Sequence, residues 1–390
     1  MRILHTSDWH FGRSLEGRSR LPEQEEFVDE LCHIVQEEKI DLVLVAGDVF
    51  DTVNPPAAAE QLFYETISRL ADGGKRKVAV IAGNHDNPDR LAAAHSLAAE
   101  YGIILLGLPI GKVLTIDTMG GERAQLFALP YPSESRLQAV LTESNEEEIL
   151  RKAYDERMAY LFQQQSQYFH PDTVNLAMSH LYVLGSHESE SERPIQVGGA
   201  YTVSATTLPG AAQYVALGHL HRPQNVGKAP TLARYAGSPL AYSFSEAGQA
   251  KSVTIVEVEA GKTAEMKEIF LTSGRPLVRW QARDGIAQVY QWMDEGRDPS
   301  AWIDLEIHVE DTLSLEEIHN LRKSHSGIIH IRPIYKKRDE EMEATLRKGL
   351  PIDQMFVHFY EQQTGGAKPD EETIKLFLEL VGEEGGGDAQ

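Results

Sequence analysis

At 390 residues, with 42% hydrophobic and 25% charged side chains, the chain exceeds one ordinary domain and is too apolar to be disordered, fibrous or a small disulfide scaffold. A single cysteine, Cys32, excludes an intrachain disulfide and a thiolate metal site, so any metal falls to His, Asp, Asn or Glu. The net charge of -22 argues against long-range attraction to a polyanion, although metals or a local arginine cluster reverse the field at a site. The opening MRILHTSDWH lacks a secretory apolar run, and no window approaches the ~20 apolar residues of a membrane span. A soluble intracellular protein is expected.

Over the first two-thirds, short apolar runs alternate with helical stretches, the pattern of stacked α/β layers. The predicted strands are Arg2 to Thr6, Asp41 to Ala46, Val78 to Ala82, Ile103 to Leu106, Gln125 to Leu129, Val174 to Met178 and Gln213 to Leu217. Helical spacing of Phe27, Leu31, Ile34 and Val35 predicts a helix over Glu23 to Glu38, with Cys32 and His33 beside its stripe. Leu62, Phe63, Ile67 and Leu70 do the same for Ala57 to Leu70. Glu146 to Gln167 reads as a long polar helix packing through Ile149, Leu150, Ala153, Met158 and Leu161.

Further strands follow from Arg234, including Ser252 to Glu259 and Glu265 to Leu271, until Ser273-Gly274-Arg275-Pro276 breaks the pattern. Leu277 to Gln281, Ala287 to Asp294, Trp302 to Val309, Leu315 to Lys323 and Ile328 to Ile331 then read strand, helix, strand, helix, strand. The expected division is 1–273, 274–338 and 339–390. Toward the C-terminus a pair of amphipathic helices, Pro351 to Gln363 and Asp370 to Val381, flanks Thr364-Gly365-Gly366. One carries the stripe Ile352, Met355, Phe356 and Phe359, the other Ile374, Phe377, Leu378 and Val381. With a flexible glycine linker these stripes cannot bury against each other, which favours a partner surface.

Five predicted strands end in metal-capable side chains: Asp8 and His10, Asp48 and Asp51, Asn84 to Asp86, His180, and His219 with His221. Loops leaving the carboxyl ends of strands gather at one crevice in layered α/β folds. Residues two apart in extended chain point the same way, so Asp8 with His10, and His219 with His221, each present two donors to one region. Glycine before Asp48, Asn84 and His219 is expected to permit a sharp turn. Asp8, His10, Asp48, Asn84, His180, His219 and His221 make seven candidate ligands, too many for one tetrahedral ion and suited to two ions sharing a carboxylate. Asp51 and Asp86 are candidates for orienting imidazoles. Arg13, Arg18 and Arg20 follow the first motif and are candidates for phosphate contacts, while Arg332, Lys336, Lys337 and Arg338 form a second basic run.

These residues resemble the signature of the calcineurin-like metallophosphoesterases. The runs Ile3 to Gly12 and Gly47 to Thr52 are similar to the bacterial double-strand-break nuclease branch of that superfamily, and the similarity spans essentially the whole chain. The resemblance implies an α/β fold (α+β by some schemes), a four-layer β-sandwich flanked by helices, with a small α/β capping domain that recognises DNA and a helical tail. It implies one metal on Asp8, His10 and His221, the other on Asn84, His180 and His219, with Asp48 shared. Two manganese ions are implied, and Mg²⁺, Zn²⁺ or Fe²⁺ also suit these ligand types. His85 is implied to protonate the leaving oxygen or stabilise the transition state, and Asp51 stands where archaeal and eukaryotic relatives usually carry His.

The implied activity is DNA phosphodiester hydrolysis: ATP-dependent digestion of duplex ends from the 3′ side, and cleavage of single strands and hairpins. The implied assembly is a homodimer joined to a coiled-coil ABC-type ATPase, two of each, with the tail stripes on the coiled coil, in the cytoplasm at the nucleoid. No P-loop occurs here, so ATP belongs to the partner. Two rival readings differ in class: a small-molecule or protein phosphoesterase, since a two-metal centre does not name its substrate, and a scaffold that only recruits an ATPase.

Overall fold

A computed structural model describes residues 1–109, 111–137, 141, 146–192, 201–335, 351–363 and 368–384, the side chains at 358, 362, 363 and 379–384 excepted. The chain divides into two compact units, Met1–Ile307 with Ser314–Arg332, and His308–Leu313 with Pro333–Gln390.

The first unit is built on two six-stranded sheets. In spatial order the first runs Glu265–Phe270, Ser252–Glu257, Arg2–Thr6, Leu42–Ala46, Lys77–Ile81, Ile103–Leu106, the last four mutually parallel. The second runs Gln224–Asn225, Leu232–Tyr235, Tyr214–Gly218, Val174–His180, Arg123–Leu129, Val113–Asp117, with the middle four parallel. Parallel strands covered on both faces read as unbroken apolar runs, and Leu42–Ala46 is buried throughout.

Alternation along each strand sorts these residues into three cores. Ile3, Leu44, Ala46 and Ala79 meet Leu126, Leu176, Met178 and Ala216 between the sheets. On the other face of the first sheet, Val43, Val45, Val78 and Val80 meet Phe27, Leu31 and Val35 of α1 (Leu21–Glu37) and Phe63, Ile67 and Leu70 of α2 (Ala57–Ala71). Phe127, Ala177, Val215 and Leu217 lie under the long helix Glu147–Ser166. This is the four-layer sandwich that the resemblance implies.

The long helix packs through Met158 and, in part, Leu161 as expected, but its facing side is shifted toward its aromatics. Its buried residues are Tyr154, Met158 and Phe162, whereas Ile149 is exposed. The large aromatics at i and i+8 bury more area than the aliphatics and so fix the facing side. Phe162 stands edge-on to Phe127, ring centroids 5.8 Å apart. Phe162→Ala is expected to destabilise the chain by about 3–5 kcal/mol, read as a lower urea midpoint with unchanged slope.

The small segment forms the expected strand-helix-strand-helix-strand unit: Leu277–Ala282, Ile286–Asp294, Trp302–Val309, Leu315–Ser324 and Ile328–Tyr335. Most of it, up to Ile307 and from Ser314 to Arg332, belongs to the first unit, although the sequence places a boundary after 273. The break at 273–276 is tied down. Glu30 of α1 accepts from the Thr272 and Ser273 amides, and Glu23 accepts from the Arg275 amide and the Trp302 indole.

In the second unit the tail helices are Ile352–Gln363 and Glu371–Glu384. They do bury some of each stripe against the other: Phe356 and Phe377 stack with centroids 4.0 Å apart and planes 8° from parallel. Ile352, Met355, Phe359 and Leu378 remain exposed, and Ile374 is half-buried. The Val381 side chain lies outside the described residues, as do Lys336, Lys337 and Arg338.

Candidate metal centre

The five strand ends predicted to converge do so. The turn after Arg2–Thr6 pairs with the turn after Leu42–Ala46: the Asp8 amide donates to the Gly47 carbonyl and the His10 amide to the Asp48 carbonyl, both at 3.0 Å. The His219 amide donates to Asp8 Oδ1 at 3.0 Å, and the His85 amide to Asp48 Oδ1 at 2.8 Å. Asp8, His10, Asp48 and His219 all take positive φ, at 54°, 47°, 49° and 109°. A non-glycine residue there costs about 1–3 kcal/mol and persists where the surroundings over-determine it, as they do at working sites.

The glycines serve by close approach as much as by turning. Gly47 has φ 90°, as expected of a turn. Gly83 and Gly218 do not need positive φ; a Cβ on Gly83 would strike the Asp48 carboxylate, and one on Gly218 the Ala46 carbonyl.

Among the described residues, three groups of His and carboxylate have ligand atoms within 4.8 Å of one another: Asp8, His10 and His221; Asp8, Asp48 and His180; His10, Asp51 and His85. The first matches one expected metal set. In the second, Asn84 Oδ1 lies 2.8 Å and Asp48 Oδ2 3.4 Å from His180 Nε2. His219 is in none of the three groups, though its ring lies 5.4 Å from that of His180.

The donor chemistry fits cations. His180 Nδ1 is within 2.9 Å of the Ala46 carbonyl, an acceptor, so the ring proton belongs there and Nε2 turns a lone pair on the Asn84 and Asp48 oxygens. His221 Nδ1 has Ser191 Oγ at 2.7 Å, and its Nε2 faces His10 Nε2 at 3.0 Å. His180 Nε2 thus faces only acceptors, and the His10 and His221 Nε2 atoms face each other; in a dry pocket each such pair needs a proton or a metal between its members.

The electrostatics say the same. Burial opposes charge on His180, yet the Asp48 carboxylate overrides it and raises the imidazole to about 9, a proton held where a cation would sit. Burial lifts Asp8 to about 6 against the pull of His180 and His221. Asp48 is held well below the usual carboxylate range: burial works against it, and His180 and His85 prevail. Burial keeps His10 and His219 neutral, the form that ligates.

Asp51 Oδ1 lies 3.6 Å from His10 Nδ1, beyond hydrogen-bond range, and 3.4 Å from the Arg13 guanidinium, so its carboxylate stands beside the imidazole without bonding it. His10 Nδ1 has no hydrogen-bond partner among the described residues. His85 Nδ1 is 2.7 Å from the Asp51 carbonyl, which leaves Nε2 turned to the pocket, 4.0 Å from Asp48 Oδ2.

Two expectations need correction. Asp86 orients no imidazole: its oxygens accept from the Val49, Phe50 and Gly83 amides, which clamps two loops together and gives it no catalytic position. Burial and Asp48 raise it to about 6 against those donors. Arg20 meets no substrate: it is buried, bonded to Glu23 and the Ala241 carbonyl. Arg18 is committed to the Ser326 carbonyl and the Trp302 ring. Arg13 alone of the three lines the mouth, a 470 Å³ cavity with Asp51, Thr52, His85, Ser191 and Glu192. Arg332 is engaged by Asp304 and Glu306.

Several supporting residues carry no sequence signal. Arg136 donates to the Gly83 and Asp86 carbonyls at 2.7 and 2.6 Å and so grips the Asn84-His85 turn. Glu246, paired with Lys251 and depressed by it despite burial, sits 3.6 Å from His221 Nδ1. Glu192 accepts from the His221 amide at 2.8 Å.

The calcineurin-like phosphoesterase family profile matches residues 1–223. The chain is 58% identical over 382 residues to the SbcD subunit of the nuclease SbcCD of Bacillus subtilis, covering 98% of each. It is 35% identical over 301 residues to the SbcD of Rhodobacter capsulatus, covering 73% of this chain and 72% of that one. With the SbcD of Escherichia coli K12 the identity is 29% over 344 residues, 86% of this chain and 83% of the other.

Proposed function

Since the chain belongs to the calcineurin-like phosphoesterases and, within them, to the SbcD family of nuclease subunits, we propose that it is a metal-dependent DNA nuclease that cleaves phosphodiesters at the Asp8–His221 centre. The observation that carries this reading is the set of imidazole and carboxylate acceptors facing one another around Asp48. Asp8, His10 and His221 would hold one ion, Asn84, His180 and His219 the other, with Asp48 between them. The mixture of imidazole, carboxylate and amide favours manganese. Two such ions would supply an activated water and neutralise the phosphate.

The chain's own groups complete the reaction. Arg13 at the mouth binds the phosphate, and its guanidinium is steadied by Asp51 and the Ser191 carbonyl, the latter at 3.0 Å. As the P–O bond breaks, the leaving oxygen takes a proton from His85 Nε2, whose Nδ1–H stays on the Asp51 carbonyl. Trp9 and Phe50, both buried in the core beside the first sheet, anchor the turns that carry His10 and Asp48.

We further propose the cellular setting that goes with the SbcCD relatives: ATP-dependent 3′-to-5′ digestion of duplex ends, endonucleolytic cleavage of hairpins and single strands, and a homodimer with two SbcC ATPases on the tail helices. Residues 274–338 would cap the DNA. No helix among the described residues is long and apolar enough to cross a membrane, which accords with a cytoplasmic, nucleoid-associated place.

The test is cleavage of hairpin DNA and of a chromogenic phosphomonoester by the purified chain, across metals and a chelator, with and without SbcC. Hairpin cleavage that needs manganese and stops with chelator is expected. Robust monoester turnover with intact DNA would favour the small-molecule phosphoesterase instead.

A further inference from the structure

Gln24, on the first turns of α1, is fully buried although nothing in the metal chemistry calls for it. Its Nε2 donates to the His10 carbonyl at 2.8 Å, and its Oε1 accepts from the Gly12 amide at 3.0 Å. Gln24 Nε2 also donates to the Tyr242 hydroxyl at 3.2 Å, and that hydroxyl in turn donates to the Trp9 carbonyl. One amide and one phenol thus satisfy the inward-facing polar groups of the turn from Trp9 to Gly12. His10 is held there at a φ of 47°, a conformation that relaxes unless neighbours enforce it.

The contacts are one-sided. Tyr242 sets its ring edge against His10 and His221, centroids 5.5 and 6.1 Å apart, both from the Asp8 set. His180 is fixed elsewhere, by the Ala46 carbonyl, and the Asn84-His85 turn by Arg136. Each side of the centre therefore has side-chain supports of its own, in addition to the His10 amide bond to the Asp48 carbonyl and the His219 amide bond to Asp8 that join the two. The Gln24 support is rigid at its base, because Glu23 binds Arg20 at 2.6 Å and the Trp302 indole at 2.9 Å.

We propose that Gln24 and Tyr242 are positioning residues for His10 and His221, so that removing their hydrogen bonds unloads one of the two ions and spares the other. This rests on the two-ion reading of the centre given above. Loss of a group that orients a ligand weakens metal affinity by about ten- to a hundred-fold.

The experiment is manganese titration of the metal-free full-length chain, followed by the electron paramagnetic resonance of free Mn²⁺. Gln24→Met keeps the volume and removes the bonds to His10, Gly12 and the Tyr242 hydroxyl; Gln24→Glu keeps the acceptor for Gly12 and loses the donors to His10 and Tyr242; Tyr242→Phe keeps the ring and loses the hydroxyl. Circular dichroism and thermal melting establish that each variant is folded. We expect two ions on the parent chain. In both Gln24 variants one ion should weaken by about ten-fold or more while the other stays within about two-fold, with a smaller shift in the same ion for Tyr242→Phe. Unchanged binding of both ions, or parallel weakening of both, would overturn the proposal. A parent chain that takes up no pair of ions would overturn the two-ion centre itself.

Discussion

His85→Gln is expected to lower single-turnover cleavage of hairpin DNA by about 10²- to 10⁴-fold while leaving manganese stoichiometry unchanged. The separation follows from how the residue is built in. Its backbone amide, not its ring, donates to Asp48 Oδ1, so a side-chain change leaves that carboxylate in place. Its ring spends Nδ1 on the Asp51 carbonyl and offers Nε2 to the pocket. Glutamine can replace the donor to Asp51 but cannot deliver a proton and recover it. Side-by-side single-turnover rates and manganese titrations would check this. If the variant cleaves at the parent rate, His85 is no proton donor; if it loses manganese, it is a ligand.

What the sequence makes legible is whatever a contiguous run can carry. Asp8 and His10, or His219 and His221, announce themselves because metal-capable side chains cluster just past a strand end; the two-residue alternation of extended chain does not set their direction, since Asp8, His10 and His219 sit in left-handed turns at φ 54°, 47° and 109°. The sandwich is readable for a like reason, since strands covered on both faces are continuous apolar runs. Contacts between distant ordinary residues are not readable. Gln24 reaches Tyr242 across 218 positions, and nothing about a glutamine on a helix marks it as the partner of a strained turn. Arg136 looks like any surface arginine until the fold brings two carbonyls to it.

Elsewhere the signal is present but composition conceals it. By charge alone Arg20 groups with its neighbours as a phosphate contact, yet Glu23 stands one helical turn on and takes its guanidinium in two bonds. Grouping by charge ignores the local carboxylate. In the long helix, an aliphatic stripe outnumbers Tyr154 and Phe162, although aromatic area dominates the packing of one helix face. In the tail, the glycine linker suggests helices held apart, whereas the Phe356–Phe377 stack joins them and leaves the outer residues Ile352, Met355 and Phe359 exposed.

Gly218→Ala tests whether the two sheets, and not merely the loops, set the centre. Gly218 ends the strand Tyr214–Gly218 and stands opposite His180 in the parallel register. A Cβ there has no room beside the Ala46 carbonyl and would also lie 2.9 Å from His180 Nδ1. That carbonyl is main chain of the first sheet, so it cannot swing away as a side chain would. The added methyl must part the sheets at their carboxyl ends or break the bond that fixes the His180 ring. Overpacking of this kind costs about 1–3 kcal/mol, and here the strain falls on the line joining His180, Ala46 and the neighbouring His219 amide that holds Asp8. The expected result is a thermal midpoint lower by several degrees, with manganese binding weakened at both ions and DNA cleavage lost. Gly227→Ala supplies the contrast, since a Cβ there meets nothing within 4 Å and its φ is not positive. It should change stability by less than about 0.5 kcal/mol. Equal melting curves for the two variants would mean that the sheets yield at Gly218 and that the ligands are positioned by their loops alone.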